Sequence, residues 1–342
     1  MMRGTGTSWV PFYRFATDTG ALTWKLPPPT FRRMRCSLTC ALTLALLVAG
    51  CERAGDKPTA NAAAPSVPVR DSSMGAVAGS GWHDADGPFI VVAGESPHTG
   101  AMVFPGQGDT TTLAIPGALA FHDHPTLTLL GRAGTVGRAR LTGALFASDT
   151  SCDAWPIARL APLDPASDRA RWSVAFVEHT AHGLALDSVE HLSRADSARL
   201  VAELARLASG LPNDTVATLR GLPFNVRGAW RFPVDASVIG VVAEITRRVA
   251  QEANQREERL LVVAERDTAS TSRWTASYSL RATGTEETVD AFDVLAVARL
   301  GRDARLVVVM SRESVHGIWY EIIARDADGH WRRQWRSPPA GC

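Results

Sequence analysis

The sequence predicts a mainly β fold: a β-rich α+β body of antiparallel strands with a C-terminal meander and one amphipathic helix near 194–210. Three observations predict it. Short apolar runs closed by Gly, Pro or polar residues recur through 88–190, at the roughly 8–12-residue spacing of small antiparallel folds. Six further runs of the same kind follow one another to the C-terminus. A single stretch, "SRADSARLVAELARLASGLP", repeats its leucines at helical spacing instead.

Taken in order, "PFIVVAGES", "GAMVFPG" and "TTLAIPG" read as strands with turns after them. "PTLTLLGRAGTVGRARLTGALF" reads as two strands around a glycine turn, and "CDAWPIARL" as one more. In "RWSVAFVEHTAHGLALDSV" the expectation is a hairpin bending at Gly183. The helix starts at Ser193, whose hydroxyl can cap it with Asp196 in the box position. Leu200, Leu204, Leu207 and Leu211 form its apolar stripe, and Gly210 and Pro212 end it. In "ASVIGVVAEITRRV" Ile239, Val241, Ala243, Ile245 and Val249 alternate onto one face, with Thr246 and Arg248 opposite. "QEANQREE" reads as a charged turn. "RLLVVAERD", "RWTASYSLRATG", "DAFDVLAVARLG", "ARLVVVMSRES", "GIWYEIIARDADG" and "HWRRQWRS" complete a meander of six strands.

At 342 residues the chain can hold one large domain or two ordinary ones. The expected organisation is an over-extended or disordered N-terminus over 1–33, a signal over 34–50 and a flexible tether over 51–81. A β unit over 82–190 and a helix-plus-meander unit over 191–342 follow, and these two can also form one domain. The tether lacks periodicity and large apolar residues, so it cannot bury enough surface to order itself. Net charge is +1, but removing residues 1–50 leaves thirty basic and thirty-four acidic groups, a net of −4. No basic block remains, which excludes nucleic acid as the expected partner.

The uncharged run from Cys36 to Gly50, preceded by Arg32, Arg33 and Arg35, is too short for a bilayer. It would reach about 20–23 Å as a helix, against a ~30 Å hydrocarbon core. A basic start, an apolar centre and small residues at the end are the parts of an export signal. Its ending, "LVAGC", resembles the bacterial lipoprotein signal, with Val48, Ala49 and Gly50 before Cys51. That resemblance implies cleavage before Cys51 and acylation of it, anchoring the body to the cell envelope through several acyl chains. Glu52 follows the cysteine where an Asp would imply inner-membrane retention, so the outer membrane is the implied address, with the body in the periplasm or at the surface. "MRCSLTCALTLALLVAGC" is a compact signal by itself, so Met34 is the expected start. In the oxidising surroundings this implies, Cys152 and Cys342 read as a disulfide, or else as two free thiols. A loop that long would contribute ~4–5 kcal/mol before strain.

Residues 295–331, "LAVARLGRDARLVVVMSRESVHGIWYEIIARDADGHW", are loosely similar to FG-GAP/VCBS-like propeller blades. Those blades carry an Asp-rich calcium loop where this chain has "RLGRDARL", so no metal ligand is implied. Nor does any repeat of that period run through the body.

Candidate chemistry is sparse. His122 and His124 in "FHDHP" share a strand face and could chelate zinc or copper given a third ligand from His83, His179 or His182. "EHTAHG" places Glu178, His179 and His182 together, for metal or acid–base work if further groups join them. "GRAGTVG" mimics a phosphate loop but leads into a strand, so a hairpin turn is expected. Ser96 lies near His98 without a nucleophile motif. The adjacent acids Glu257–Glu258 and Glu286–Glu287 read as solvated turns. Trp319, Tyr320, Trp331 and Trp335 could line a groove, with Trp331 and Trp335 on one face; core packing is the simpler fate. The function expected from these observations is a non-catalytic envelope module, binding or structural. Its partners are the membrane, through the lipid, and an unidentified protein or small molecule, with no cofactor. The alternative is a periplasmic metal-dependent hydrolase using the His122/His124 region.

Overall fold

The computed structural model describes residues 87–92, 96–103, 123–145, 155–169, 171–212, 216–249, 255–269, 273–337 and 339. The signal, the tether, "TTLAIPG", His83, His122, Cys51, Cys152 and Cys342 lie outside the described residues. What is described is mainly β, as expected, with antiparallel pairing throughout.

Six strands close into a barrel: β1 (Phe89–Val92), β2 (Thr99–Val103), β3 (Thr126–Gly131), β4 (Gly134–Leu145), β5 (Ile157–Pro162) and β6 (Val174–Val177). Their order is β1-β2-β5-β4-β3-β6, and β6 pairs back onto β1. Closure leaves no free edge in this unit. The expected glycine hairpin is present between β3 and β4, where Gly134 takes φ 90°. A short helix, α1 (Pro165–Asp168), is capped by Asp164, which accepts from the Ser167 amide. It seats on β4 because Gly137 has no side chain: a Cβ there would lie 2.5 Å from Ser167 Oγ.

The chain leaves the barrel through a turn at Glu178–Thr180, with His179 at φ 69°. The expected hairpin bend at Gly183 is therefore displaced. Gly183 lies inside β7 (Ala181–Leu184), because a Cβ there would meet the Gly134 carbonyl carbon at 2.7 Å. Nor do β6 and β7 pair with each other: β6 belongs to the barrel and β7 to another sheet. β7 and the two-residue β8 (Asp187–Ser188) become edge strands of two separate five-stranded sheets.

The outer sheet has the order β12-β11-β10-β9-β8, with β9 (Asn225–Pro233), β10 (Val238–Arg248), β11 (Arg256–Asp267) and β12 (Thr275–Thr285). The inner sheet has the order β16-β15-β14-β13-β7, with β13 (Ala291–Leu300), β14 (Arg305–Ser314), β15 (Gly317–Arg325) and β16 (Trp331–Arg336). The six C-terminal strands are thus meanders divided between two sheets at β12/β13, rather than one continuous run. β13 carries apolar residues on both faces, Val294 and Val297 on one and Ala296 and Ala298 on the other, and so belongs between layers.

Four layers result. The barrel packs on the inner sheet through Phe89 and Phe176, with Phe89 edge-on to Trp335 at 5.8 Å between ring centroids. The other face of the inner sheet (Val297, Val308, Met310, Ile323, Trp331) meets Phe232, Val242, Leu261 and Val263 of the outer sheet. The far face of the outer sheet is covered by α2 (Arg194–Gly210) through Leu200, Leu204 and Ala208, against Val241, Ala243, Ile245 and Val262. Ser193 caps α2 as expected, accepting from the Asp196 amide at 3.2 Å. Sheets covered on both sides read as nearly continuous apolar strands, which is why "LVVVM" and "LLVVA" lack alternation. No helix among the described residues is long and apolar enough to cross a bilayer.

Charges inside these layers are paired. Glu257 and Glu258 are not a solvated turn; they sit in β11, almost inaccessible. Glu258 pairs with Arg247 at 2.5 Å and with Arg281, and Glu257 with Arg259 at 3.1 Å. Extended backbone sends the two carboxylates to opposite faces, so each finds its own guanidinium.

Arg132, at the tip of the β3–β4 hairpin, joins all three β units. Its Nε donates to the Val294 carbonyl at 2.9 Å, its Nη2 pairs with Asp293, and its guanidinium lies 4.4 Å from the centroid of the Trp230 ring. Burial raises the Asp293 carboxyl above its usual range, against the pull of Arg132. Burial, then the Asp293 charge, pushes Glu244 on β10 up from 4.5 to about 7, while Arg132, Arg227 and Arg259 oppose that. The folded state thus holds a proton that the unfolded chain gives up near pH 4.5. Stability from this group falls as pH rises from 4.5 to about 7 and levels off above. Glu244→Gln should flatten that decline, matching the parent near pH 4.5 and exceeding it by roughly 1–3 kcal/mol at pH 8. Urea denaturation at the two pH values measures this, and equal gains at both would refute it.

Candidate functional site

A cleft of about 450 Å³ opens where the barrel meets the edge of the inner sheet. β3 and β4 supply Thr128, Thr135 and Arg138 to its walls. The barrel exit and the start of β7 supply Glu178 to His182, the end of β13 supplies Arg299, and the β13–β14 turn supplies Gly301 and Ala304.

Local structure sets each of these groups. Thr128 lies opposite both Arg138 on β4 and Phe176 on β6, so the three share the outer barrel face. Phe176 packs tilted against Phe89, which meets Trp335, so this face looks toward the inner sheet. Arg138 is fixed through its amide, which donates to Ser167 Oγ of α1 at 2.9 Å. Its Nη1 reaches Glu178 Oε1 at 3.3 Å, in a pair whose arginine is 58% exposed. Thr128 is 8% exposed, yet its hydroxyl has no hydrogen-bond partner among the described residues. Thr135 Oγ1 accepts from the Gly183 amide at 3.0 Å, and the Gly301 amide donates to the Thr180 carbonyl at 2.9 Å, closing the wall. Arg299 faces His182 across the β7–β13 pair. Its Nη1 donates to the Ala304 carbonyl at 3.3 Å and its Nη2 to the Val234 carbonyl at 2.6 Å. Those carbonyls orient the guanidinium without neutralising it.

The structure brings together one of the sequence-derived candidate groups. Glu178, His179 and His182 all line the cleft, although no cluster of His, Cys, Asp and Glu able to hold a metal occurs among the described residues. His124, the described half of the His122/His124 pair, is exposed at φ 44°, with Nδ1 within 3.3 Å of the Leu141 carbonyl oxygen. Ser96 Oγ accepts from the His98 backbone amide at 3.2 Å, while the His98 ring lies 3.6 Å from Asp168. The tryptophans form no groove. Pairing slips between Ile322 and Ile323, so Gln334 is an extra residue in β16. One inserted residue flips everything beyond it. Trp331 consequently packs between the two sheets and Trp335 against the barrel, both buried.

Sequence reasoning missed Thr128, Thr135, Arg138 and Arg299. The available signal was polarity: Thr128 interrupts an apolar strand, and Arg299 interrupts "LAVARL". Their convergence depends on three separate strand pairings. Comparison with protein-family models, with curated proteins and with solved structures finds no match for this chain, so the site rests on its own geometry.

Proposed function

We propose that this chain is a cell-envelope lipoprotein, acylated at Cys51, whose β body is a non-catalytic binding module that takes its ligand in the cleft between barrel and inner sheet. The observation that carries the binding role is the set of polar groups lining that cleft. The unpartnered hydroxyl of a largely buried threonine, an exposed guanidinium bonded at one nitrogen and two histidine rings converge there without being committed to the fold. Convergent polar groups in a concavity are the ordinary mark of a ligand site. The anchor rests on "LVAGC" and the polar stretch after it, which lets the body stand off a membrane surface. Glu52 favours the outer membrane, and the periplasm or cell surface for the body. In that compartment Cys152 and Cys342 would form a disulfide.

Expression of the full chain in a Gram-negative host with an alkyne-tagged palmitate tests the anchor. The product should carry the label and begin at Cys51, and Cys51→Ser should abolish both labelling and membrane recovery. An unlabelled product retaining residues 1–50 would refute it. Peptide mapping without reduction should find Cys152 joined to Cys342, and two alkylatable thiols would refute that part alone.

A further inference from the structure

We propose that the cleft is an oxyanion site, taking a carboxylate, sulfate or phosphate group of a small ligand against Thr128 and Arg138. The inference rests on the binding role proposed above and names the chemistry the cleft selects. Charge is the first argument. Arg138 and Arg299 line it with one carboxylate, Glu178, in a body whose net charge is −4; the Arg299 guanidinium is turned to the Val234 carbonyl, so it lends its charge rather than a donor. Among the described residues Arg299 has no carboxylate partner, so its charge is fixed in place and uncompensated. A local positive cleft in an acidic body focuses small anions.

Donor geometry is the second argument. The Arg138 side chain meets Glu178 through one nitrogen, and a guanidinium has five N–H donors. Thr128 is the cross-strand neighbour of Arg138 on the same face, and both line the cleft. Thr128 is only 8% exposed and its hydroxyl has no partner among the described residues, which leaves it open to a group entering the cleft. Thr135 Oγ1 accepts from Gly183, leaving its own proton to donate. The His179 and His182 rings, with no hydrogen bond among the described residues, border the same space. Arg138 offers donors only, and the hydroxyls and histidine rings beside it can each donate as well as accept, so a ligand that takes a guanidinium and several donors together is an oxyanion. Glu178, the one carboxylate among the lining residues, holds Arg138 in place and would repel an anion seated too close to it.

Calorimetry with the folded chain tests this, using sulfate, inorganic phosphate and acetate as anions and glucose as a neutral probe. At least one anion should bind, more weakly as sodium chloride is raised. Arg138→Gln should weaken it at least tenfold, and Thr128→Val about threefold or more. Arg206→Ala, on the exposed side of α2, should leave binding unchanged. Thermal melts of each variant exclude unfolding as the cause. Glycerol 1-phosphate in solution and vesicles of phosphatidylglycerol then separate a free anion from a lipid headgroup, and binding of either supports the site. Anions that fail to bind, or bind equally to the Arg138→Gln and Thr128→Val variants, would overturn the oxyanion inference. Ala181→Trp, which fills the cleft, distinguishes the two levels. If glucose binds and Ala181→Trp blocks it while anions do not bind, the binding role stands and the anion chemistry falls. If no probe binds, or Ala181→Trp leaves all binding intact, the cleft is not a ligand site and both fall.

Discussion

The inner sheet has no solvent face, and the rest of the molecule is arranged around that constraint. Ala296, Ala298 and Val309 look into the barrel-side core; Val297, Val308 and Met310 look into the other. A sheet apolar on both sides needs a partner on each. The barrel serves on one side and the outer sheet on the other. The outer sheet is apolar on its far face too, and α2 is the layer that completes it. Each layer therefore exists because the one beneath it would otherwise expose apolar surface, and the stack ends where a helix with a single apolar stripe meets water.

Such a stack needs joints, and the chain makes them with very short pieces. β7 and β8 together contribute few residues, yet they carry the backbone from the barrel to the edges of both sheets. Gly183 and Gly134 permit the close approach of β7 to the β3–β4 hairpin. Arg132 adds the polar half of the joint, bonded to Val294 and Asp293 and stacked on Trp230. Charges that do enter the interior are costly unless paired, as Glu258 is by Arg247 and Arg281. Glu244 is only partly relieved, since burial and the Asp293 charge raise its carboxyl against the pull of Arg132, Arg227 and Arg259.

The cleft is a by-product of the same joint. Where a closed barrel abuts the edge of an open sheet, the side chains along the seam are not all covered. Thr128 belongs to a barrel strand, Arg299 to a sheet strand and His179 to the turn between them. The Thr128 hydroxyl and the His179 ring make no hydrogen bond among the described residues, which leaves them available to a ligand, while Arg299 is held by the Ala304 and Val234 carbonyls.

Much of the architecture was legible in the sequence. The strands, the Ser193-capped helix with its leucine stripe and the glycine turn before β4 follow from local periodicity and turn chemistry, which depend only on near neighbours in the chain. "EHTAHG" was legible as a polar cluster for the same reason. Tertiary structure alone decided that six C-terminal strands divide between two sheets, that Glu257 and Glu258 are buried, and that a bulge at Gln334 sends Trp331 and Trp335 to opposite faces. It also decided that Thr128, Arg138 and Arg299 share a cleft with the two histidines. Those outcomes turn on which strand lies beside which and on a register offset of one residue, and a chain read in one dimension carries no term for contacts between segments more than a hundred residues apart.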